Sequence, residues 1–236
     1  MKLSHSIPFG IAALALSCAA NATLYENTLT FDGLACEGIT PGVSVSVSVS
    51  VNCGTNALFR QEYGDVAGLV DITNTDVDFT NAHYAGTSTI YPLQFWGPDY
   101  SNLSNVAWAY PAVGHSHGRI TLAAAAGHTI NLLGFDMGAW HAPAAVGTNI
   151  SVTNASSTYT FSGAVGTNGL ATHFSAFGAA GMGQTVTIDW YNSAVDVGID
   201  NLHFSVTQVP EPETYALLLA GLGLLGAATR KKRHTA

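Results

Sequence analysis

Residues 197–206 read VGIDNLHFSV, and this stretch carries the main signal for the class of fold. From Leu202 onward every second residue is apolar, whereas His203 and Ser205 between them are polar. Successive side chains of a β-strand point to opposite faces, so this spacing predicts a strand with one face in the core. Residues 185–190, TVTIDW, show the same alternation.

The rest of the chain repeats this pattern. Leu29 and Phe31 alternate with threonine, and Ile120 and Leu122 are spaced in the same way. Stretches rich in Gly, Asn, Ser and Thr, such as GDVAG, VTNASS and VGTNG, separate the alternating segments. Outside the two chain ends only AAAAG, residues 123–127, is ambiguous. Many short strands divided by turn residues are typical of an antiparallel sandwich, so we predict an all-β, antiparallel β-sandwich.

The most regular alternation is VSVSVSVSV at residues 43–51, which places five Val on one face and four Ser on the other. A half-buried strand is the direct interpretation. An exposed edge used for assembly and a mobile loop are the alternatives, and we favour a strand whose edge is covered.

The C-terminal tail, residues 209–236, has three successive parts. Its first part consists of Val209, Pro210, Glu211 and Pro212. The prolines fix their own φ and bias the preceding residues toward extended backbone, which suits a protease. An uncharged apolar stretch at 215–228 follows, and the third part is the basic cluster Arg230, Lys231, Lys232 and Arg233. This order predicts a C-terminal transmembrane helix with a stop signal that holds its end in the cytoplasm.

The length of the apolar stretch leaves an alternative open. At about 1.5 Å per residue it gives about 21 Å of helix, less than the roughly 30 Å of a bilayer core. A span counted from residue 209 to 229 fits better, and an amphiphilic tail that does not cross the membrane is the other interpretation.

The tail resembles the PEP-CTERM sorting signal, a bacterial motif recognised by exosortase-type membrane proteases. The Val-Pro-Glu-Pro block, Thr214, the LLLAGLGLLG run and the RKKR end follow the family's order and spacing over residues 209–233. The resemblance implies export in a Gram-negative bacterium, transient anchoring in the inner membrane and cleavage near 210–212. It further implies release to the cell surface or the extracellular matrix, with an exosortase-type protease as partner.

The N-terminus agrees with export. Lys2 supplies a positive charge, residues 7–20 are mostly apolar, and Ala20-Asn21-Ala22 is a small-x-small cleavage site. We predict a signal helix within residues 1–22 and a mature chain that begins at Thr23. A lipoprotein modified at Cys18 is the alternative, although Ala15 stands where a lipobox usually has Leu.

These boundaries predict one ectodomain, residues 23–208, followed by the sorting tail, residues 209–236. The ectodomain holds 13 Asp and Glu, while Arg60 and Arg119 are its only basic residues apart from histidine. Such an acidic body excludes nucleic acid as an expected partner. It suits calcium or a hydrated polymer better than an anionic ligand.

The cysteines predict a disulfide. Removal of Cys18 with the signal leaves Cys36 and Cys53, an even pair in an oxidising compartment. Closing this loop would add about 3 kcal/mol, mainly by restricting the unfolded chain. Two unpaired buried thiols are the alternative.

Asp200 is the first candidate for a ligand-binding residue. In a continuous strand it would share the core-facing side with Leu202, where an unpaired charge is costly. The VGIDNLHF segment resembles the closing strand of bacterial surface jelly-roll domains and carbohydrate-binding modules, in which an Asp at this place helps to bind structural calcium. The resemblance implies a jelly-roll-like sandwich and a calcium site at Asp200 with Asp32 or Glu26. A cap on backbone N–H groups is the alternative.

Aromatic residues cluster between 91 and 110. Exposed rings stack on the apolar faces of sugars, so this cluster is a candidate carbohydrate site; its residues are Tyr91, Phe95, Trp96, Tyr100 and Trp108. Packing over one end of the sandwich is the alternative, because large aromatic side chains are more often buried than binding.

Histidine offers a metal hypothesis. His115 and His117 are spaced for the same side of a strand, and His128 and His141 could approach them. The chain has no HExxH helix and no GxSxG elbow, so a polar loop is favoured over a zinc site and no catalytic residue is predicted.

Together these patterns predict a noncatalytic, structural or adhesive component of an exopolysaccharide or biofilm matrix. A carbohydrate-binding module is the alternative, followed by a polysaccharide-active or metal-dependent enzyme. This interpretation requires no cofactor. Calcium is the one cofactor that the sequence suggests, through the site at Asp200.

Overall fold

The computed structural model describes residues 25–31, 36–37, 58–59, 63–77, 92–110, 116–141, 144–209 and 219–225. The strands within them are Tyr25–Leu29 (β1), Cys36–Glu37 (β2), Leu58–Phe59 (β3), Val70–Asp76 (β4), Gln94–Trp96 (β5), Val106–Trp108 (β6), His117–Ala124 (β7), His128–Ala139 (β8), Val146–Thr153 (β9), Thr158–Val165 (β10), Thr172–Ser175 (β11), Met182–Gly183 (β12), Thr185–Tyr191 (β13) and Val197–Gln208 (β14). The helical segments are the 3₁₀ turns Thr167–Gly169 and Gly178–Gly181 and an α-helical stretch at 219–225.

The strands form two antiparallel sheets. The nine-stranded sheet runs β11, β8, β14, β6, β5, β3, β2, with β1 beside β14 and β12 beside β8. The five-stranded sheet has the order β10, β9, β13, β7, β4. The all-β prediction is therefore confirmed, and the two sheets are consistent with the predicted β-sandwich.

One hydrophobic core is shared by the two sheets. Ile120, Ile150 and Ile188 of the five-stranded sheet belong to the same buried cluster as Leu132 and Phe204 of the nine-stranded sheet. These side chains occupy alternate positions of their strands, so the opposite positions face outward. Core packing thereby decides which residues the outer faces present.

Trp190 is the largest fully buried side chain of the described residues. Its indole Nε1 donates to the carbonyl oxygen of Val197 at 2.9 Å, which ties β13 to the start of β14. Gly118 lies opposite Trp190 on β7, and a Cβ at Gly118 would overlap the indole ring. Glycine at this position makes room for the ring.

Two polar side chains of β4 join the sheets. Asn74 Oδ1 accepts the N–H of Leu93 at 2.9 Å, and Asp76 Oδ2 accepts that of Tyr110 at 2.8 Å. Leu93 precedes β5 and Tyr110 follows β6, so these bonds fix the edge of the five-stranded sheet against the other sheet.

Strand β14 changes its alternation in the middle. Val197 and Ile199 are buried before the change, and Leu202 and Phe204 after it, so the core-facing positions pass from odd to even numbers. The ladder with β8 is irregular at the same place, as expected for a β-bulge. Asp200 therefore does not share the core-facing side with Leu202, which corrects the expectation for a continuous strand.

Several sequence predictions fall outside the described residues. The signal peptide, the stretch 43–51, Cys53 and the basic end of the tail are among them. In the predicted membrane segment, residues 219–225 are helical and exposed. In the part of the chain that the structure describes, no helix has the length and apolar character needed to cross a bilayer.

Candidate functional site

The outer face of the five-stranded sheet carries a register row with one threonine from each strand. In the order of the strands β4, β7, β13, β9 and β10, these residues are Thr73, Thr121, Thr187, Thr153 and Thr158, which we call the threonine row. Neighbouring strands lie about 4.8 Å apart, so the row spans about 19 Å. The hydroxyl oxygens of Thr121 and Thr187 are 3.3 Å apart. The row crosses the whole width of the sheet.

The core fixes the outward direction of this row. Thr121 lies between Ile120 and Leu122, both of which are buried, and every other member likewise occupies an outward position of its strand. If the pairing register of a strand shifted by one residue, its outward and core-facing side chains would change places, and hydroxyls would be buried instead of apolar side chains. Threonine is β-branched and therefore also suits the strand conformation.

The next register row contains an ion pair. Arg119 of β7 lies opposite Asp189 of β13, and its Nε donates to Asp189 Oδ1 at 2.7 Å. His117 Nε2 lies 2.6 Å from the same oxygen. The side chain of Asp189 is only 10% exposed, whereas that of Arg119 is 41% exposed. We call His117, Arg119 and Asp189 the charged cluster.

The electrostatics of the charged cluster favour an ionised carboxylate. Burial acts to raise the pKa of Asp189, but hydrogen bonds from His117 and Arg119, together with their charges, outweigh burial and lower this pKa. An ionised carboxylate only accepts, so His117 donates through Nε2. Arg119 uses its Nε here, and the guanidinium carries further N–H donors at its exposed end.

Tyr191 adds an aromatic ring at one end of the charged cluster. Its ring centroid lies 5.8 Å from that of His117, and the residue is 37% exposed. In the register, Tyr191 faces His117 on one side and Asn149 on the other. Hydroxyls, an amide, a guanidinium and a ring thus share one face, a combination suited to hydrogen bonding with a polar ligand.

The histidines of the zinc hypothesis have separate surroundings. His117 belongs to the charged cluster, His128 lies 3.1 Å from a backbone carbonyl oxygen, and His141 stacks on Trp140 at 4.1 Å between ring centroids. His115 lies outside the described residues. Among the residues described, no group of three or more His, Cys, Asp or Glu could hold a metal ion.

Asp200 makes the contacts of a backbone cap. The residue is 5% exposed, and its Oδ1 accepts the N–H of Phe31 at 3.3 Å and that of Asn201 at 2.7 Å. Asn201 adopts a left-handed conformation with φ 52°, which turns the chain beneath the carboxylate. These bonds hold the end of the first strand segment against β14.

The predicted calcium ligands do not converge among the described residues. Glu26 Oε1 lies 2.7 Å from His203 Nε2, and Glu26 stands opposite Ser205, five positions along β14 from Asp200. Asp32 lies outside the described residues. With Asp200 and Glu26 bound to separate partners, this donor set does not fit a shared cation.

Asp200 does share a cavity of about 290 Å³ with another carboxylate, that of Asp136. Asp136 Oδ1 lies 2.7 Å from His173 Nδ1, and its Oδ2 accepts the side-chain amide of Asn201 at 2.8 Å. Asn102 also lines this cavity, where its Oδ1 accepts the N–H of Ala171 at 2.6 Å. The polar groups of the cavity therefore stabilise one another.

The aromatic residues predicted as a sugar platform are mostly buried. Tyr100 is 1% and Trp108 4% exposed in a small second core, and Phe95 is 9% exposed in the main core. Trp96 is half-buried and meets Trp108 edge-on at 5.7 Å between ring centroids. Tyr91 lies outside the described residues. This packing corrects the expectation of open ring faces and matches the alternative interpretation.

The sheet ends where the predicted sorting tail begins. Strand β14 stops at Gln208, and the N–H of Val209 still donates to the carbonyl oxygen of Gly127 at 2.7 Å. Val209 is 47% exposed. Residues 210–212 lie outside the described residues. No spacer therefore separates the last strand from the first residue of the tail.

The two-sheet body leads directly into the C-terminal tail, because β14 ends at Gln208. Residues 208–233 match the family model of the PEP-CTERM protein-sorting motif. The chain thus carries this motif, as its tail predicted, and the motif points to an exported surface protein that exosortase, a membrane protein, processes. Comparisons with curated proteins and with solved structures found no match.

The threonine row and the charged cluster were not predicted. Alternation in residues 185–190 marks Thr187 and Asp189 as outward positions, and this was the available signal. The pairing that places Asp189 beside Arg119 joins residues 70 positions apart in the chain. Alternation alone does not reveal such a pairing.

Proposed function

We propose that this protein is a noncatalytic, structural or adhesive component of the extracellular polymer layer. Its tail holds it in the inner membrane until an exosortase-type protease cleaves near Pro210 or Pro212 and releases the body. The observation that carries the proposal is the PEP-CTERM motif at 208–233, which begins as β14 ends.

The charge of the body supports a role among hydrated polymers. Arg119 is the one lysine or arginine among the described residues, and it is paired with Asp189. Nucleic-acid binding relies on several cations that neutralise phosphates, which this surface does not offer in its described part. An acidic, strongly hydrated surface is compatible with an uncharged polymer.

The state of Asp189 supports binding in preference to catalysis. A general acid or base works best when its pKa lies near the working pH. The pKa of Asp189 is shifted below its usual value, because His117 and Arg119 outweigh the effect of burial. A carboxylate held in this way is suited to fixing neighbouring donors.

A carbohydrate-binding module is the second candidate function. The observation that favours it is the exposed ring of Tyr191 beside the charged cluster, rather than the buried aromatic residues between 91 and 110. In this second candidate function, the ectodomain itself binds a glycan.

The test is to express the full chain in an exosortase-bearing Gram-negative host and measure the intact mass of protein in the membrane, matrix and medium. We expect matrix protein that lacks residues 1–22 and 230–233, with a mass two hydrogens lower if Cys36 and Cys53 are joined. The variant P210A/P212A should accumulate in the membrane. P98A, which alters an exposed proline of the body, should be released like wild type.

Two outcomes would contradict the proposal. One is released protein that still carries residues 230–233. The other is correctly cleaved protein found only in the medium and never retained in the matrix.

A further inference from the structure

We propose that the outer face of the five-stranded sheet binds an extended, uncharged polysaccharide chain that lies across the strands along the threonine row. The inference deepens the proposed adhesive function, on which it rests for the extracellular setting. It assigns the contact to Thr73, Thr121, Thr187, Thr153 and Thr158 together with Tyr191 and the charged cluster.

The first support is the regular spacing of the hydroxyls. The pairings of β10, β9, β13, β7 and β4 place one threonine per strand in a common row. Each step is about 4.8 Å, similar to the length of one hexose unit in an extended glycan. A glycan laid across the strands could therefore meet one threonine per sugar.

The second support is the hydrogen-bonding capacity of this face. A threonine hydroxyl both donates and accepts, as the hydroxyls of a sugar do. The adjoining row continues this chemistry, because it contains Thr160, Ser151 and Thr75 beside the ion pair of Arg119 and Asp189. Polar groups that tolerate either hydrogen-bond direction suit a polyhydroxyl ligand.

The third support is the ring of Tyr191. It is 37% exposed, and Asn149 lies opposite it in the register. An exposed ring offers an apolar face to a pyranose, while its hydroxyl remains available to water. A sugar above Tyr191 would also be near Asn149 and His117.

The charges of the face select the class of glycan. The carboxylate of Asp189 is compensated by Arg119, so the ion pair contributes little net charge. The ectodomain as a whole is acidic, with 13 Asp and Glu against two Arg. An anionic polysaccharide would be repelled by this body, whereas an uncharged one would not.

A regular threonine array could also face ice, and the charged cluster argues against this occupant. Only one of the register rows consists of threonine throughout, and the next contains Asp189 and Arg119. Charged groups retain liquid-like hydration and interrupt a flat hydroxyl surface. Uncharged glycan is therefore the occupant that accounts for both rows.

The experiment uses the processed protein recovered from the host and affinity electrophoresis in gels containing hydroxyethylcellulose, dextran or alginate. Thr153→Val with Thr187→Val removes two hydroxyls of the row but keeps their β-branched shape. The matched control is Thr129→Val with Thr207→Val, a facing threonine pair of the nine-stranded sheet. Tyr191→Ala tests the ring. Circular dichroism and thermal unfolding confirm that each variant is folded.

We expect retardation by hydroxyethylcellulose or dextran and none by alginate. The row variant and Tyr191→Ala should each bind at least about tenfold more weakly, which corresponds to about 1.4 kcal/mol, while the control pair binds like wild type. No retardation by either uncharged glycan would overturn the inference. So would stronger retardation by alginate, or equal binding by the row variant and wild type. Thermal hysteresis in freezing, without glycan binding, would assign the face to ice.

The failures of the two proposals are distinguishable. If wild type is cleaved and retained in the matrix but is not retarded by either uncharged glycan, the inference fails while the proposed function stands. If wild type binds the glycan in gels but never enters the matrix, the proposed function fails while the face remains a glycan site.

Discussion

Asp136 and Asp200 stand directly opposite each other on β8 and β14, although both are carboxylates. Like charges in this position normally destabilise a sheet. Here the two side chains have different donors. Asp200 accepts two backbone N–H groups, while Asp136 is bound to His173 and to the amide of Asn201. Separate hydrogen bonding of each carboxylate allows the pair to face the same cavity.

This arrangement predicts a graded effect of substitutions at Asp200. Asp200→Ala leaves the N–H groups of Phe31 and Asn201 without their acceptor and should lower the free energy of unfolding by about 1–3 kcal/mol. Asp200→Asn keeps an acceptor oxygen and relieves repulsion with Asp136, so this substitution should lower the free energy of unfolding by less than Asp200→Ala does. Urea unfolding of both variants measures the difference.

Calcium provides the control for this interpretation. We expect the unfolding temperature of wild type to be the same in calcium and in chelator, because Asp200 and Glu26 have separate partners. A rise with calcium that disappears in Asp200→Asn would contradict the capping role and restore the calcium-ligand interpretation.

The ion pair on the other sheet predicts a pH dependence. The pKa of Asp189 is lower in the folded protein than its usual value, so the ionised carboxylate stabilises the fold. This contribution is fully present above the unfolded pKa of about 3.9 and is lost as the pH falls through the folded pKa. Asp189→Asn should lower the free energy of unfolding by about 1–3 kcal/mol at pH 7. The difference in unfolding free energy between this variant and wild type should narrow below about pH 4.

Unfolding by urea between neutral pH and pH 2 measures this gap. The control is Asp71→Asn, which removes an exposed carboxylate from the same sheet. A constant gap between wild type and Asp189→Asn down to pH 2 would show that the ion pair does not account for the effect.

Close packing beneath Trp190 predicts that Gly118 tolerates no side chain. Gly118→Ala places a methyl group within the volume of the indole ring, and overpacking of this kind costs about 1–3 kcal/mol. Gly147 is a strand glycine with open space at its Cβ position, so Gly147→Ala should be neutral or slightly stabilising. Thermal unfolding compares the two, and equal effects would refute the packing argument.

Burial predicts opposite roles for two aromatic residues. Trp108 is 4% exposed and Tyr191 is 37% exposed. Trp108→Ala should lower the free energy of unfolding by about 3–5 kcal/mol, because it opens a cavity in the small second core. Tyr191→Ala should cost less than about 1 kcal/mol. A folded Trp108→Ala variant of near wild-type stability would return the 91–110 aromatics to the list of candidate binding residues.

Local pattern was sufficient for much of the fold. The alternation in 185–190 and 202–206 corresponds to β13 and β14, and the isoleucine and leucine at 120 and 122 lie in the core-facing positions of β7. This success has a physical reason, since a strand with one buried face must alternate.

The candidate site depended on relations that alternation does not encode. A bulge reverses the parity around Asp200, and nothing in VGIDNLHF marks it in advance. The threonine row requires the register of five strands at once, and register is fixed by the shared core. Trp108 illustrates a third limit, because the pattern of aromatic residues near prolines does not show which ring packs in a core and which lies on an exposed loop.

The position of β14 has a consequence for the order of maturation. It is the last strand of the body, yet it pairs with β8 on one side and with β1 and β6 on the other. The nine-stranded sheet can close only when residues 197–208 are available to pair, and the motif at 208–233 follows them directly in the chain. Before β14 pairs, β1 and β8 lack their common partner, and their unpaired edges can pair with other chains and aggregate. A chain anchored through its C-terminal tail would complete this sheet next to the membrane, separated from other incompletely folded chains.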